Sequence, residues 1–136
     1  MIYEFEVPGK VVGKGRPRIN TNTGITYTPT TTKDYETLIQ QYFLIKYPRY
    51  RPIENRIKVE IVAYIGIPKS TPKKSIESML DGTISPTKKP DIDNIVKAIL
   101  DALNKFAYND DNLVCKIDVE KKYSLEEKVY IKVEEY

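Results

Sequence analysis

The 136-residue sequence contains no histidine, no tryptophan and a single cysteine, Cys115. Without histidine there is no Ser-His-Asp or Cys-His triad, no histidine-ligated zinc and no histidine general base. One cysteine excludes an internal disulfide and a four-cysteine zinc site, and it fits a reducing compartment. Any bound metal must therefore rest on oxygen ligands, which favours Mg²⁺ or Mn²⁺.

The sequence also lacks long apolar runs. None approaches the roughly 20 residues that span a bilayer, and the first residues, MIYEFEVPGK, lack the basic start and apolar core of a secretory signal. We therefore expect a cytoplasmic protein with no membrane partner. The length predicts one domain over residues 1–136. The hydrophobic content of 40%, the charged content of 30% and the net charge of +3 fit a globular protein.

Hydrophobic periodicity predicts an α+β domain with the element order β-α-β-α-β-β, a mixed or antiparallel sheet and two helices. The predicted strands cover residues 2–7, 56–66, 113–123 and 127–135, and the predicted helices cover residues 31–47 and 93–106. Thr31 and Asp34 can form a capping box for the first helix. Residues 9–30 and the basic segment 68–90 are predicted as loops, and the second loop is expected to be mobile.

The acidic residues within 88–111, KKPDIDNIVKAILDALNKFAYNDD, give the strongest functional signal. Asp91 and Asp93 begin the second predicted helix, whereas Asp110 and Asp111 follow its end. Each like-charge pair costs about 3 kcal/mol at a separation of about 6 Å, so a cluster of them is most easily explained by a bound Mg²⁺. The helix is about 20 Å long, so the pairs meet only if loop 107–111 folds back or a strand brings Asp111 to the helix start. Helix capping and a polar turn are the alternatives.

Lys97 lies one helical turn after Asp93 on the same face. It can stabilise the charge of a reacting phosphate, or it can form an ordinary ion pair worth a few tenths of a kcal/mol. The sequence leaves both interpretations open. Asp101, one turn further on, is expected on a solvated helix face.

Two groups of basic residues are candidates for binding DNA phosphates. The motif GKGRPR combines glycines, which let the backbone approach a ligand, with guanidinium groups that bind phosphate bidentately. Solubility is the alternative role for such loop residues. Tyr27, beside the motif, can stack on a base. The first group is Lys14, Arg16 and Arg18, and the second is Lys69, Lys73, Lys74, Lys88 and Lys89.

The run KPDIDNIVKAILDAL, followed by NDD and then by Lys121, resembles the RusA family of Holliday junction resolvases, endonucleases common in prophages. GRPR, the following YTP and TKDYE extend the likeness over the whole chain in outline. The resemblance implies a RusA-like fold and a homodimer that cuts opposed strands of four-way-junction DNA in recombination and repair.

The same resemblance implies Mg²⁺, with Mn²⁺ as a substitute, on residues matching Asp91, Asp93 and Asp111, and a catalytic lysine matching Lys97. It also assigns DNA binding to the basic loops and a further basic position to Lys121. The stretch before the Asp-Asp pair is about one residue shorter than the family pattern. Asp110 therefore stays an alternative to Asp111 as a ligand.

Two other functions remain open from the residues alone. The first is a non-catalytic protein that binds branched or single-stranded DNA, which needs the basic residues but not the carboxylates. The second is a metal-dependent phosphohydrolase of small nucleotides. It requires a deep pocket, whereas a nuclease requires an open basic surface with acidic patches inside it.

Overall fold

A computed structural model describes residues 1–27 and 29–136 of the chain, and its main sheet has the strand order β1-β6-β4-β5. Strand β6 is antiparallel to both β1 and β4, whereas β5 runs parallel to β4. The predicted α+β class and the mixed sheet are therefore confirmed. The strands are β1 (Ile2–Pro8), β4 (Ile57–Gly66), β5 (Val114–Ser124) and β6 (Lys128–Glu135).

One face of this sheet forms the core. Alternate side chains of β1, β4 and β6 are buried, as the period of two in their sequences predicts. They pack with the apolar stripes of helices α1 (Thr30–Lys46) and α3 (Ile92–Leu103). The opposite face of the sheet carries polar side chains such as Glu60 and Lys132. The helices that position the candidate site therefore lie on one side only.

The prediction of a wholly irregular segment at 68–90 is wrong, because this segment contains helix α2 (Lys73–Leu80). Two of its apolar side chains, Ile76 and Met79, are half-buried, and the helix packs against β5. The described chain thus has three α-helices instead of two. A short stripe over 8 residues gives too weak a periodic signal to stand out in a basic, proline-containing sequence.

The predicted loop 9–30 also contains regular structure, a ribbon of β2 (Arg18–Ile19) and β3 (Thr26–Tyr27). Gly24 closes the intervening turn with a φ of 71°, a conformation that favours glycine. Thr28 belongs to this predicted loop and lies outside the described residues.

The predicted capping box of the first helix is wrong. Helix α1 begins at Thr30 after Pro29 and has no side-chain cap bond. The buried hydroxyl of Thr32 accepts a hydrogen bond from the Gly15 amide at 2.9 Å instead. Thr32 therefore fastens the loop of the GKGRPR motif to the helix.

Helix α3 ends at Leu103, earlier than predicted, because Lys105 has a φ of 71° and turns the chain away. Helix α3 is followed by a 3₁₀ turn (Asp111–Leu113) that leads into β5. Among the described residues, none of the helices combines the length and the apolar content needed to cross a bilayer.

Candidate functional site

Two unpartnered carboxylates stand at the start of α3. Asp91 occupies the N-cap position, but its side chain accepts no capping hydrogen bond. Asp91 and Asp93 are both exposed, and neither forms an ion pair or a side-chain hydrogen bond within residues 1–27 and 29–136. The helix N-terminus lowers the cost of placing two negative charges there. Hydrogen-bonded capping therefore does not explain the pair.

The segment that precedes these carboxylates is held by Lys121 of β5. Its ammonium group donates hydrogen bonds to the carbonyl oxygens of Lys88 at 2.9 Å and Pro90 at 3.0 Å. Lys121 thus fastens the edge of the sheet to the residues that lead into Asp91. Two of its three N–H donors are thus already used on backbone oxygens. The DNA contact of Lys121 stays a prediction.

Asp111 lies at the other end of α3. The helix has 12 residues and so separates the two acidic groups by about 18 Å at 1.5 Å per residue. Asp111 neighbours Asp110 instead. A hydrogen bond with Asp110, then burial, then the negative charges of Asp110 and Asp101 raise the pKa of the Asp111 carboxyl above its usual value. Loop 107–111 turns back only against the last turns of the helix, where the Tyr108 hydroxyl donates to the Leu100 carbonyl at 2.6 Å. Among the described residues it does not bring Asp111 into a cluster with Asp91 and Asp93.

The oxygen donors needed for a divalent cation are therefore only partly assembled. Asp91 and Asp93 offer free carboxylates of the type that Mg²⁺ prefers. Across the part of the chain that the structure describes, no three or more Asp, Glu, Cys or His side chains come close enough to hold an ion. The chemistry of the two carboxylates suits such an ion, and among the described residues Asp111 of the same chain does not join them.

Lys14 is engaged inside the protein. Its ammonium group contacts Glu36 at 2.5 Å and Asp101 at 3.0 Å, and its side chain is only 15% exposed. Burial alone lowers the pKa of Lys14, but the hydrogen bonds and charges of Glu36 and Asp101 outweigh burial and raise that pKa. The prediction that Asp101 lies on a solvated face is wrong, because Asp101 binds a lysine from a distant loop.

Lys97 has the opposite character. It is exposed on α3 and has no ion-pair partner within the described ranges. The ordinary ion pair with Asp93, one of the two interpretations left open by the sequence, is therefore absent. The charge of Lys97 is free to meet an external anion near Asp93.

A broad groove of about 1250 Å³ opens beside Asp91. Its walls are the loop of residues 10–18, the first turns of α1 and the start of α3. Arg16, Arg18 and Lys89 contribute positive charge to it, and Arg16 and Arg18 are exposed. An open groove with cations on its rim suits a polyanion better than a small nucleotide enclosed in a deep pocket.

The sequence matches a family model described as Endodeoxyribonuclease RusA over residues 8–134. The chain belongs to the RusA endodeoxyribonuclease family. Membership indicates endodeoxyribonuclease activity on Holliday-junction DNA, and it confirms the resemblance noted in the α3 motif. The chain is also similar to "Uncharacterized protein YqaN" of Bacillus subtilis (strain 168), with 34% identity over 137 aligned residues that cover 97% of this chain and 95% of the relative.

For this RusA-family chain, the structure brings some predicted site residues together and separates others. Asp91, Arg16, Arg18 and Lys89 share the groove, and Lys14 also lines it while bound to acidic partners. Asp93 and Lys97 follow on α3. The remaining predicted basic residues are exposed outside the groove lining: Lys69 before α2, Lys73 and Lys74 in its first turn, and Lys88 beside Lys89.

Sequence reasoning missed Asn94 as a groove residue, and it treated Asp34, which also lines the groove, only as a helix-capping residue. Asn94 lies one turn after Asp91 on α3, so helical spacing could have indicated that it shares the same side. Lys10 also lines the groove, and its place in the same basic loop as Lys14, Arg16 and Arg18 already indicated a shared location.

Proposed function

We propose that this RusA-family protein resolves Holliday junctions by metal-dependent phosphodiester hydrolysis in recombination and repair. The observation that carries the proposal is the pair Asp91 and Asp93, which has no partner among the described residues and adjoins a groove that also carries Arg16, Arg18 and Lys89. A Mg²⁺ or Mn²⁺ ion held there would activate water and stabilise charge on the scissile phosphate. The cytoplasm, where junction DNA forms and Cys115 stays reduced, is the proposed location.

The basic residues have separate roles in this proposal. Arg16 and Arg18 hold a phosphate of the cut strand through bidentate hydrogen bonds. Lys97, which has no acidic partner among the described residues, adds positive charge near the scissile phosphate beside Asp93. The exposed lysines around α2 bind phosphates of the junction arms: Lys69, Lys73, Lys74 and Lys88.

A homodimer supplies the two incisions, and the edge of β5 is the surface that we propose for it. Strand β5 is the outer strand of the sheet, and in the described part of the chain its residues make no backbone hydrogen bonds to any strand but β4. An unpaired edge of 11 residues is a template for another strand. A two-fold axis pairs this edge with itself in the antiparallel sense.

The side chains favour one register of that pairing. With Ile117, which is 42% exposed, opposite its counterpart, Lys116 faces the partner's Asp118 and Asp118 faces the partner's Lys116. In the same register Lys121 faces the partner's Leu113. The turn that holds the partner's Asp111 then lies beside the Lys88–Pro90 segment. The partner would thus supply the third carboxylate that a single chain lacks.

Substitution of Asp93 tests the catalytic assignment. Asp93→Asn should abolish the paired nicks that the native protein makes in a Mg²⁺-containing junction assay, and it should leave junction binding intact. Glu60→Gln, which removes a carboxylate from the opposite face of the sheet, is the matched control and should cut normally. Wild-type cleavage by Asp93→Asn would refute the assignment, and absence of cleavage by the native chain would favour a DNA-binding protein that does not cut.

Mixing two inactive variants tests the shared site. A heterodimer of Asp93→Asn and Asp111→Asn chains has two sites if each site takes Asp93 from one protomer and Asp111 from its partner. One of these sites then contains both substitutions, and the other contains neither. We therefore expect single-strand nicking to return on mixing. If each chain held all three carboxylates by itself, both sites would stay inactive and mixing would restore nothing.

A further inference from the structure

The groove beside Asp91 has more apolar surface than phosphate binding requires. Its polar rim accounts for contacts with the DNA backbone, but Val12 and Leu38 also line it and are only partly buried. Pro29 and Pro90 add two further apolar surfaces. Val12 and Leu38 pack against the core with part of their surface, and sugar-phosphate contacts do not use the part that faces the groove. The part of a DNA strand that matches apolar walls is the face of a base.

The walls of the groove are held in place without DNA. The Lys14 amide donates to the Asn94 carbonyl at 2.8 Å, so the loop is bonded directly to α3. A Cβ atom at Gly13 would lie 3.0 Å from the Cβ of Asn94 and 3.1 Å from the Cβ of Pro90. Only glycine lets the loop pack this closely. The loop is therefore fixed against α3, and the hydrogen bond from the Gly15 amide to Thr32 at 2.9 Å fixes it against α1, so the groove is preformed.

The floor of the groove includes Tyr35, whose exposed fraction is only 6%. Its hydroxyl has no hydrogen bond of ordinary geometry among the described residues. Burial, opposed by the neighbouring Val12 backbone, raises the pKa of Tyr35 to about 12. The hydroxyl thus stays protonated at neutral pH and keeps a donor beneath the apolar walls.

We propose that the groove receives one unstacked nucleobase of the junction strand, next to the scissile phosphate beside Asp91. The inference rests on the proposed function and specifies how that site grips its substrate. The base lies between the Val12 and Leu38 walls, while Arg16 and Lys89 bind the phosphates on either side of its sugar. Unstacking is least unfavourable at the crossover, where base pairs have already lost a regular neighbour.

A fluorescent base analogue tests the placement. The fluorescence of 2-aminopurine rises when the base leaves the stack, and single 2-aminopurines are placed in turn at the positions flanking the cleaved phosphate. They are excited at wavelengths longer than those that tyrosine absorbs. The Asp93→Asn protein serves as the non-cutting background. One position should brighten several-fold on binding. Adding Leu38→Trp, which fills the groove, should remove most of that rise, whereas Ile45→Trp on the exposed side of the same helix should not.

A junction with an abasic site at the position that brightens gives the decisive cleavage assay. In the otherwise native chain, Leu38→Trp should slow cleavage at least tenfold, and an abasic site at the bright position should restore most of the lost rate, because no base then needs room. Val12→Trp, in the loop that also lines the groove, should behave alike and replaces Leu38→Trp if that variant does not fold. No brightening at any position, or no abasic rescue, would overturn the inference. Normal cutting by the native chain in that case would leave the proposed function standing.

Discussion

Replacing Lys14 by methionine should weaken the fold and leave phosphate binding unchanged. The ammonium group contacts Glu36 of α1 at 2.5 Å and Asp101 of α3 at 3.0 Å. It thereby joins the loop of residues 10–18 to both helices. Methionine keeps the apolar stem of the side chain but leaves two carboxylates facing each other without a cation.

The expected loss is about 1–2 kcal/mol of unfolding free energy. A hydrogen bond to a charged group contributes roughly 1.5–3 kcal/mol where water is excluded. The side chain of Asp101 is 33% exposed, so water screens that contact and can solvate the carboxylate once the lysine is gone. For a chain of this size, that loss lowers the thermal midpoint by about 3–8 °C.

Thermal unfolding and salt-dependent junction binding together provide the assay. Each lost phosphate contact reduces the slope of log K against log salt by about 0.9. In the non-cutting Asp93→Asn background, Arg16→Met should reduce that slope, whereas Lys14→Met should leave it unchanged and lower only the midpoint. If Lys14→Met instead reduced the slope and unfolded at the native midpoint, Lys14 would be a DNA ligand and the interpretation of its ion pairs would fail.

The pH dependence of stability gives the same prediction a second check. Since the pKa of Lys14 is raised above 10.5 in the folded chain, its stabilising contribution is fully present below 10.5 and is lost as the pH rises through the folded pKa. The native chain and Lys14→Met should therefore differ at neutral pH and converge in strong alkali. A difference that persisted unchanged at high pH would point to lost packing instead of a lost charge.

Three further substitutions test separate parts of the site. Tyr108→Phe removes the buried hydroxyl that donates to the Leu100 carbonyl at 2.6 Å. It should lower the free energy of unfolding, measured by thermal unfolding, by about 1 kcal/mol. Tyr136→Phe, at a half-exposed tyrosine, is the control and should cause no measurable loss. Lys121→Met frees the segment before Asp91 and should reduce cleavage more than junction binding, unlike the exposed Lys122→Met; an equal loss of both would indicate a phosphate contact. Asp110→Asn removes the main cause of the raised pKa of Asp111. Because a ligating carboxyl must be deprotonated, the lowest pH at which calorimetry detects Mn²⁺ binding should fall. If that pH did not change, the coupling between the two carboxyls would be contradicted.

The sequence predicted the elements whose residues carry their own periodicity. The stripe of Ile95 and Ile99 identified α3, and alternation identified β1 and β4, because these patterns are dictated by burial on one face. Helix α2 was missed since its apolar residues are only half-buried over 8 residues. The ribbon of β2 and β3 has two residues in each strand and leaves almost no periodic signal.

Partners distant in sequence explain the remaining errors at the site. Asp101 looked solvated because it follows Asp93 and Lys97 at helical spacing, yet its partner Lys14 comes from the N-terminal loop. The capping box predicted at Thr31 and Asp34 does not form, and the neighbouring Thr32 accepts a hydrogen bond from the Gly15 amide. Local propensity does not contain such contacts, which arise only when the loop and the two helices pack together.

The separation of Asp111 from Asp91 and Asp93 has a consequence for how the proposed site works. Each pair of carboxylates brought within about 6 Å costs about 3 kcal/mol at an effective dielectric near 20, so keeping the third acid at the far end of α3 spares the isolated chain most of this repulsion. The proposed β5 pairing brings that acid in only when two chains associate. Cation binding, which offsets the repulsion, and dimer formation then favour each other by thermodynamic linkage. In this proposal, the hydrolytic site would form only where two copies meet on a junction, and the isolated chain would carry no assembled acidic cluster.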